Sequence, residues 1–207
     1  MNYEALILDI DGTLWDSRAL VAEGYNIQLK KEGLEHLFVT AEDLLPLFGK
    51  VMTEIADVIL ASIPEADRYD LMERCMATEN KYLEENSCRI GYPGIRETLA
   101  ELSKKYRLFI VSNSQCGYPE LCIQKLDIAP FISAHMCFGD TGTSKGQTIL
   151  RLMKEQNITS AAYVGDTQGD YEASVEAGIP FIWATYGFGE PERYDAKIDT
   201  FPQLLNL

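Results

Sequence analysis

Asp9-Ile10-Asp11-Gly12-Thr13 closes a short apolar run, Ala5–Leu8, near the start of the chain. A strand sets side chains i and i+2 on one face. Asp9 and Asp11 are therefore expected side by side at the strand's carboxyl end, where open α/β sheets gather their chemistry. Two carboxylates that close do not both ionise cheaply without a cation or a shared proton. The pair points to a metal, to acid–base chemistry, or to both. The plainer reading is an Asx-type turn, with Gly12 supplying a positive φ. A calcium loop of the EF-hand type also begins Asp-x-Asp, but here Thr13 stands at its fifth position and Leu20 at the twelfth, where a bidentate Glu is needed.

Three other places carry residues of matching character. Ser112-Asn113 follows the run RLFIV. Lys145 lies in the helix-opening segment Thr143-Ser144-Lys145-Gly146. Gly165-Asp166-Thr167-x-x-Asp170 follows AAYV. In a parallel sheet these ends share one edge, so one site would gather four carboxylates, a lysine, a hydroxyl and an amide. That set fits phosphoryl transfer. Carboxylates hold Mg²⁺, which keeps water and substrate phosphate among its ligands, and the lysine and amide neutralise the equatorial phosphoryl oxygens. Each residue also has a local reading. Asp166 and Asp170 could cap a helix, and Ser112 could be a turn residue. Lys145 could be a surface lysine, although a cation at a helix start opposes the dipole.

The elements that must position these residues follow from apolar runs. Strands are expected over residues 3–9, 107–113, 134–139, 161–166 and 180–185, all short, continuous and apolar as strands covered on both faces should be. Helical patterns lie between them at 94–105, 119–125, 145–156 and 170–177, the last closed by Gly178 with Pro180 behind it. This alternation predicts an α/β fold with a doubly wound parallel sheet. Residues 17–87 break it. They contain no convincing strand and read as three to four helices, over about 17–31, 41–63 and 66–85. So long a gap after a first strand exceeds a plain βαβ crossover. The expected organisation is a catalytic core of residues 1–16 and 88–207, with a helical domain of residues 17–87 inserted at hinges near 15–17 and 89–93.

With these motifs in order, the chain resembles the haloacid dehalogenase superfamily, in the branch with a helical cap after the first motif. It is most similar to phosphoglycolate-phosphatase-like and β-phosphoglucomutase-like enzymes. Gly91-Tyr92-Pro93-Gly94-Ile95 and Ala177-Gly178-Ile179-Pro180 extend the likeness over nearly the whole chain. The resemblance implies a Rossmann-like core with a cap and a Mg²⁺-dependent phosphatase acting on a small phosphorylated metabolite. It implies Asp9 as nucleophile, forming an aspartyl-phosphate, and Asp11 as general acid and base. It implies metal contacts from Asp9, Asp166, the Asp11 backbone carbonyl and Asp170, which supports or joins the shell. Ser112, Asn113 and Lys145 match phosphoryl-binding positions, and the Gly12 N–H could line that cradle. Lys50, after Phe48-Gly49, stands where relatives carry a specificity loop in the cap; it also reads as a solvated helix lysine.

Composition bounds the rest. The 207 residues suit one α/β domain with a sizeable insertion, and a net charge of −14 repels a phosphate backbone, so nucleic acid is not an expected partner. An anionic substrate then needs local cations. No apolar run reaches about 18 residues, so no membrane span is expected, and without a signal-like start a cytoplasmic location is expected. Five cysteines (75, 88, 116, 122 and 137) include no C-x-x-C pair and read as ordinary thiols rather than a disulfide or zinc framework. Cys116 could be an oxidation-sensitive thiol, but reads more simply as a loop residue. No sequence feature sets an oligomeric state. Three rivals remain open: a sugar-phosphate mutase on the same core, a phosphonatase-type reaction with Lys50 as its Schiff base, and a non-catalytic phosphate-binding module.

Overall fold

The computed structural model describes residues 3–87 and 90–207. Cys88 and Arg89, the latter an expected hinge residue, lie outside the described residues. In chain order, β1 (Ala5–Leu8) is followed by α1 (Arg18–Lys31), α2 (Ala41–Leu44), α3 (Met52–Ile59) and α4 (Glu65–Glu85). Then come α5 (Ile95–Leu102), β2 (Arg107–Ser112), α6 (Tyr118–Lys125), β3 (Ile132–Cys137) and α7 (Phe138–Thr141). The chain ends with α8 (Lys145–Glu155), β4 (Ala161–Gly165), α9 (Gln168–Ala177), β5 (Phe181–Ala184) and β6 (Ala196–Ile198). Two compact units result. One joins the described residues up to Asp16 with Ile90–Leu207; the other starts at Ser17.

The first unit is a six-stranded sheet in the order β3-β2-β1-β4-β5-β6, with every pairing parallel. The chain builds outward from β1 on one side, then crosses back to β4 on the other. β1 is thus the switch point of a doubly wound sheet, and the crevice at its carboxyl end is where such folds bind ligands. Both sheet faces are buried because the central strands are apolar at all but their end positions. Ala5, Ile7, Phe109, Val111, Ala161 and Tyr163 form one face and pack on Ile149 and Leu152 of α8 and Ala173 and Ala177 of α9. The alternate residues Leu6, Leu8, Leu108, Ile110, Ala162 and Val164 are buried on the other. Registers of Leu8 with Ile110 and with Val164 bring the carboxyl ends of the three central strands level.

Two expectations are corrected here. The third strand runs from Ile132 to Cys137 and not to Gly139, because Phe138–Thr141 turns into α7. A sixth strand, Ala196–Ile198, was not anticipated; three residues bearing a central lysine leave too short a pattern to read.

The second unit is helical. α1 packs along α4, burying Val21, Tyr25 and Leu29 with Leu71, Met72, Cys75 and Leu83. Gly24 permits this approach: a Cβ there would stand 2.7 Å from the Glu79 Cα, too close for backbone to yield. The single helix expected over 41–63 is two, α2 and α3. Pro46 lacks an N–H and clashes with the preceding turn, and Gly49 takes φ +87°, so the chain turns between them. Lys50 follows that turn, exposed and outside any helix. Among the described residues no helix is long and apolar enough to cross a membrane.

Candidate active site

Asp9 leaves β1 directly after Leu8 and donates its N–H to nothing but the sheet: Asp9 N bonds the Val164 carbonyl at 2.9 Å, holding the residue between β1 and β4. The chain then tightens. Thr13, Leu14 and Trp15 all direct N–H groups at the Ile10 carbonyl, 2.7–3.2 Å away. This turn aims Asp11 away from the strand. Its Oδ1 accepts from Trp15 Nε1 at 2.8 Å and from the Tyr118 hydroxyl at 2.7 Å. Trp15 and Tyr118 also meet edge to face, with ring centroids 5.4 Å apart.

Lys145, the first residue of α8, is only 6% exposed. Its Nζ lies 3.0 Å from Asp9 Oδ1 and 2.6 Å from Asp170 Oδ1, and 5.9 Å from the centre of the Tyr163 ring. The helix-start penalty on its charge is offset by these two carboxylates. Asp170 is itself fixed by the opening of α9. Thr167 caps that helix in a reciprocal box: its Oγ1 accepts from the Asp170 N–H, and Asp170 Oδ2 accepts from the N–H and hydroxyl of Thr167 at 2.9 and 2.7 Å. Oδ2 also accepts from the Asp166 N–H at 3.1 Å.

Asp166 is fully buried at the end of β4. Its Oδ2 accepts from the Phe188 N–H at 2.6 Å. Two glycines make room for that carboxylate. A Cβ on Gly12, whose φ is +79°, would fall 2.0 Å from Asp166 Oδ2, and one on Gly187 would fall 2.4 Å from it. The Gly12 N–H, expected to line a phosphoryl cradle, donates instead to the Trp15 carbonyl at 2.9 Å. The reason is the tight turn, which brings position 15 back onto position 12. Gly12 serves the site through its missing side chain.

One sheet edge thus brings together Asp9, Asp166, Asp170 and Lys145. Ser112 closes β2 beside β1, its Oγ accepting from the Ser114 N–H at 3.2 Å, with Asn113 next in the loop. Lys50 belongs to the other unit. Trp15, Tyr118, Gly187 and Phe188 were not singled out from the sequence. Only the glycines 187 and 189 after the PFIWAT run signalled that backbone approaches something closely there.

The electrostatics are those of a cation site. Each of Asp9, Asp166 and Asp170 offers an oxygen, all within 4.8 Å of one another. Three buried carboxylates face one buried ammonium, so full ionisation would leave an excess of two negative charges. Burial raises the Asp9 carboxyl to about 7; Lys145 works against this, while Asp170 and Asp11 add to it. Burial, with Asp170 and Asp9 nearby, also holds Asp166 well above the carboxylate range. Asp170 goes the other way: burial opposes ionisation, but Lys145 and the Thr167 donors outweigh it. Lys145 is correspondingly raised, its two carboxylate partners outweighing burial. Among the described residues Asp166 Oδ1 is buried with no hydrogen-bond partner. A buried, unpartnered carboxylate oxygen costs several kcal/mol or more, and a hard divalent cation is the partner that would relieve it. The residues present therefore fit Mg²⁺.

The fold and this site define a doubly wound α/β protein with a cluster of carboxylates and a lysine at the carboxyl edge of its parallel sheet. The model of the haloacid dehalogenase-like hydrolase family matches residues 6–184, and the chain belongs to that family. A phosphoglycolate phosphatase of Agrobacterium fabrum is 30% identical over 212 residues, covering 96% of this chain and 89% of the relative. Another, of Aquifex aeolicus, is 27% identical over 191 residues, covering 88% and 85%. Among solved structures, a haloacid dehalogenase-like family hydrolase from Streptococcus pneumoniae shares the fold with a TM-score of 0.82 at 21% identity, covering 99% of this chain and 97% of that one. The protein is an enzyme of the phosphatase type within this family.

Proposed function

We propose that the protein is a Mg²⁺-dependent phosphomonoesterase that acts on a small organic phosphate through an aspartyl-phosphate on Asp9. The observation that carries this reading is the pairing of Lys145 with Asp9 Oδ1 beside the unpartnered Asp166 Oδ1. Lys145 fixes Oδ1 and leaves Oδ2 to attack phosphorus. The same lysine, with Ser112 and Asn113 on the neighbouring strand end, meets the phosphoryl oxygens that all substrates share. Asp9, Asp166 and the Asp11 carbonyl would hold Mg²⁺, which when bound neutralises charge on the transferring group. Asp170 supports that shell through Lys145 and the α9 cap. The Asp11 carboxyl protonates the departing alkoxide, then takes the proton of the water that opens the aspartyl-phosphate. Trp15 and Tyr118 both hold Oδ1 and so orient the carboxyl that exchanges the proton.

The helical unit, residues 17–87, acts in this reading as the cap that meets the variable leaving group, with Lys50 as a specificity residue. Its relatives' name makes phosphoglycolate the first ester to test. The test is a panel of phosphate esters assayed with Mg²⁺ for phosphate release, alongside hexose-phosphate isomerisation. We expect release without isomerisation, loss of turnover in Asp9→Asn, and an altered substrate ranking in Lys50→Ala. Phosphate release by Asp9→Asn near the wild-type rate would remove Asp9 from the nucleophile's role.

A further inference from the structure

A second group of metal-ligating side chains lies outside the cluster of Asp9, Asp166 and Asp170. β2 ends on Ser112, and the loop after it carries Asn113 at its start and Cys116 further on. β3 runs beside β2, with Ser112 level with Cys137. The loop is fastened to the end of β3: the Gly139 N–H donates to the Ser114 carbonyl at 3.1 Å, and the Cys137 thiol points at the Gln115 carbonyl at 3.5 Å. Gly139 is needed for this fit, because a Cβ there would lie 2.5 Å from the Cys116 nitrogen and 2.8 Å from its sulfur. The two thiols straddle one carboxylate. Cys137 Sγ is 3.2 Å from Asp140 Oδ2, and Cys116 Sγ is 3.5 Å from Asp140 Oδ1. The Cys137 N–H donates to Oδ2 at 2.9 Å and sets the carboxylate's orientation. Cys116 is exposed and Cys137 buried, so the group opens to solvent on one side.

We propose that Cys116 Sγ, Cys137 Sγ and Asp140 form a site for one thiophilic divalent cation of the Zn²⁺ class, with water in the fourth position. The separations, one from each sulfur to a different carboxylate oxygen, are close to those of a tetrahedral shell. Bond lengths of about 2.3 Å to sulfur and about 2.1 Å to oxygen place neighbouring ligand atoms about 3.6 Å apart. The sulfur–oxygen separations are 3.2 and 3.5 Å, and one ligand atom from each residue lies within 4.8 Å of the others. Two sulfurs select a soft ion over Mg²⁺. A cation takes the carboxylate as a ligand and displaces the thiol protons. Bound there, it would fasten the loop that follows Ser112 and carries Asn113 to the end of β3.

Cd²⁺ is the probe, titrated into the full chain under anaerobic conditions with Mg²⁺ in large excess to fill the oxygen site. We expect one Cd²⁺ per chain, a thiolate-to-metal charge-transfer band in the ultraviolet, and release of up to two protons per ion. Cys116→Ser should weaken binding at least tenfold and diminish the band. Asp140→Asn should weaken binding while keeping the band. A circular-dichroism melt of both variants checks that they fold. Absence of saturable one-to-one binding to the wild type, or an unchanged affinity and band in folded Cys116→Ser, would overturn the site.

Discussion

Tyr118→Phe is the sharpest probe of how Asp11 works. The change keeps the ring that packs edge to face on Trp15 and removes one atom, the hydroxyl 2.7 Å from Asp11 Oδ1. A hydrogen bond to a charged group contributes about 1.5–3 kcal/mol. Trp15 Nε1 still holds the same oxygen at 2.8 Å, so the lower half of that range applies. About 1.4 kcal/mol is a factor of ten in rate. The carboxyl would then sample orientations that no longer suit proton transfer to the leaving oxygen. For an alkyl phosphate, whose leaving group needs its proton, phosphorylation of Asp9 should slow about tenfold. For an aryl phosphate with a good leaving group, the same step should change by less than about threefold. Rapid-quench measurement of the phosphorylation step with both substrates separates the two. Substrate affinity should stay within the same small factor for each. Equal slowing with both esters would refute the orientation argument, and so would a wild-type rate with the alkyl ester.

Two other perturbations address the metal site. In the metal-free protein Asp9 keeps a proton up to about pH 7, and a cation must displace it. Asp166, held above the ordinary carboxylate range, adds to this, so apparent Mg²⁺ affinity should rise with pH, by about tenfold per pH unit for each proton displaced; calorimetric titrations between pH 5 and 8 with no such slope would contradict it. Gly187→Ala forces a Cβ to within 2.4 Å of Asp166 Oδ2, so Mg²⁺ should bind about 10–100-fold more weakly, as expected for a perturbed supporting shell, whereas unchanged Mg²⁺ titration curves would show that Asp166 does not reach the ion.

What the sequence made legible divides along physical lines. Each polar motif follows a strand, and in a parallel sheet all carboxyl ends share an edge, so Asp9, Lys145, Asp166 and Asp170 could be brought together without coordinates. The helix pattern over 41–63 misled because apolar spacing continues through Pro46 and Gly49, where backbone chemistry overrides periodicity. β6 left no pattern at all. The partners of the catalytic candidates were harder still. Tyr118 lies 107 positions from Asp11, and nothing in its neighbourhood marks it. The donor to Asp166 Oδ2 is the backbone N–H of Phe188, which any residue but proline could supply. Cys116 and Cys137 lack a short metal-ligand spacing. They meet only because β2 and β3 run side by side and Gly139 lets the loop close in.

Asp170 shows why a local reading and a functional one need not compete. A carboxylate three residues past Thr167 is what a capping box requires, and the box is present. Its Oδ2 accepts three donors, all from Asp166 and Thr167, which removes any freedom of the side chain to turn. Oδ1 is thereby aimed across the site at Lys145, 2.6 Å away. Lys145 would otherwise face an unfavourable helix-start dipole and a buried position. The fixed anion raises its affinity for a proton and holds it on Asp9. The cap of α9 is in this way the first step of a chain of fixed charges that ends at Asp9. Replacing Thr167 would act on the proposed nucleophile, Asp9, through Asp170 and Lys145.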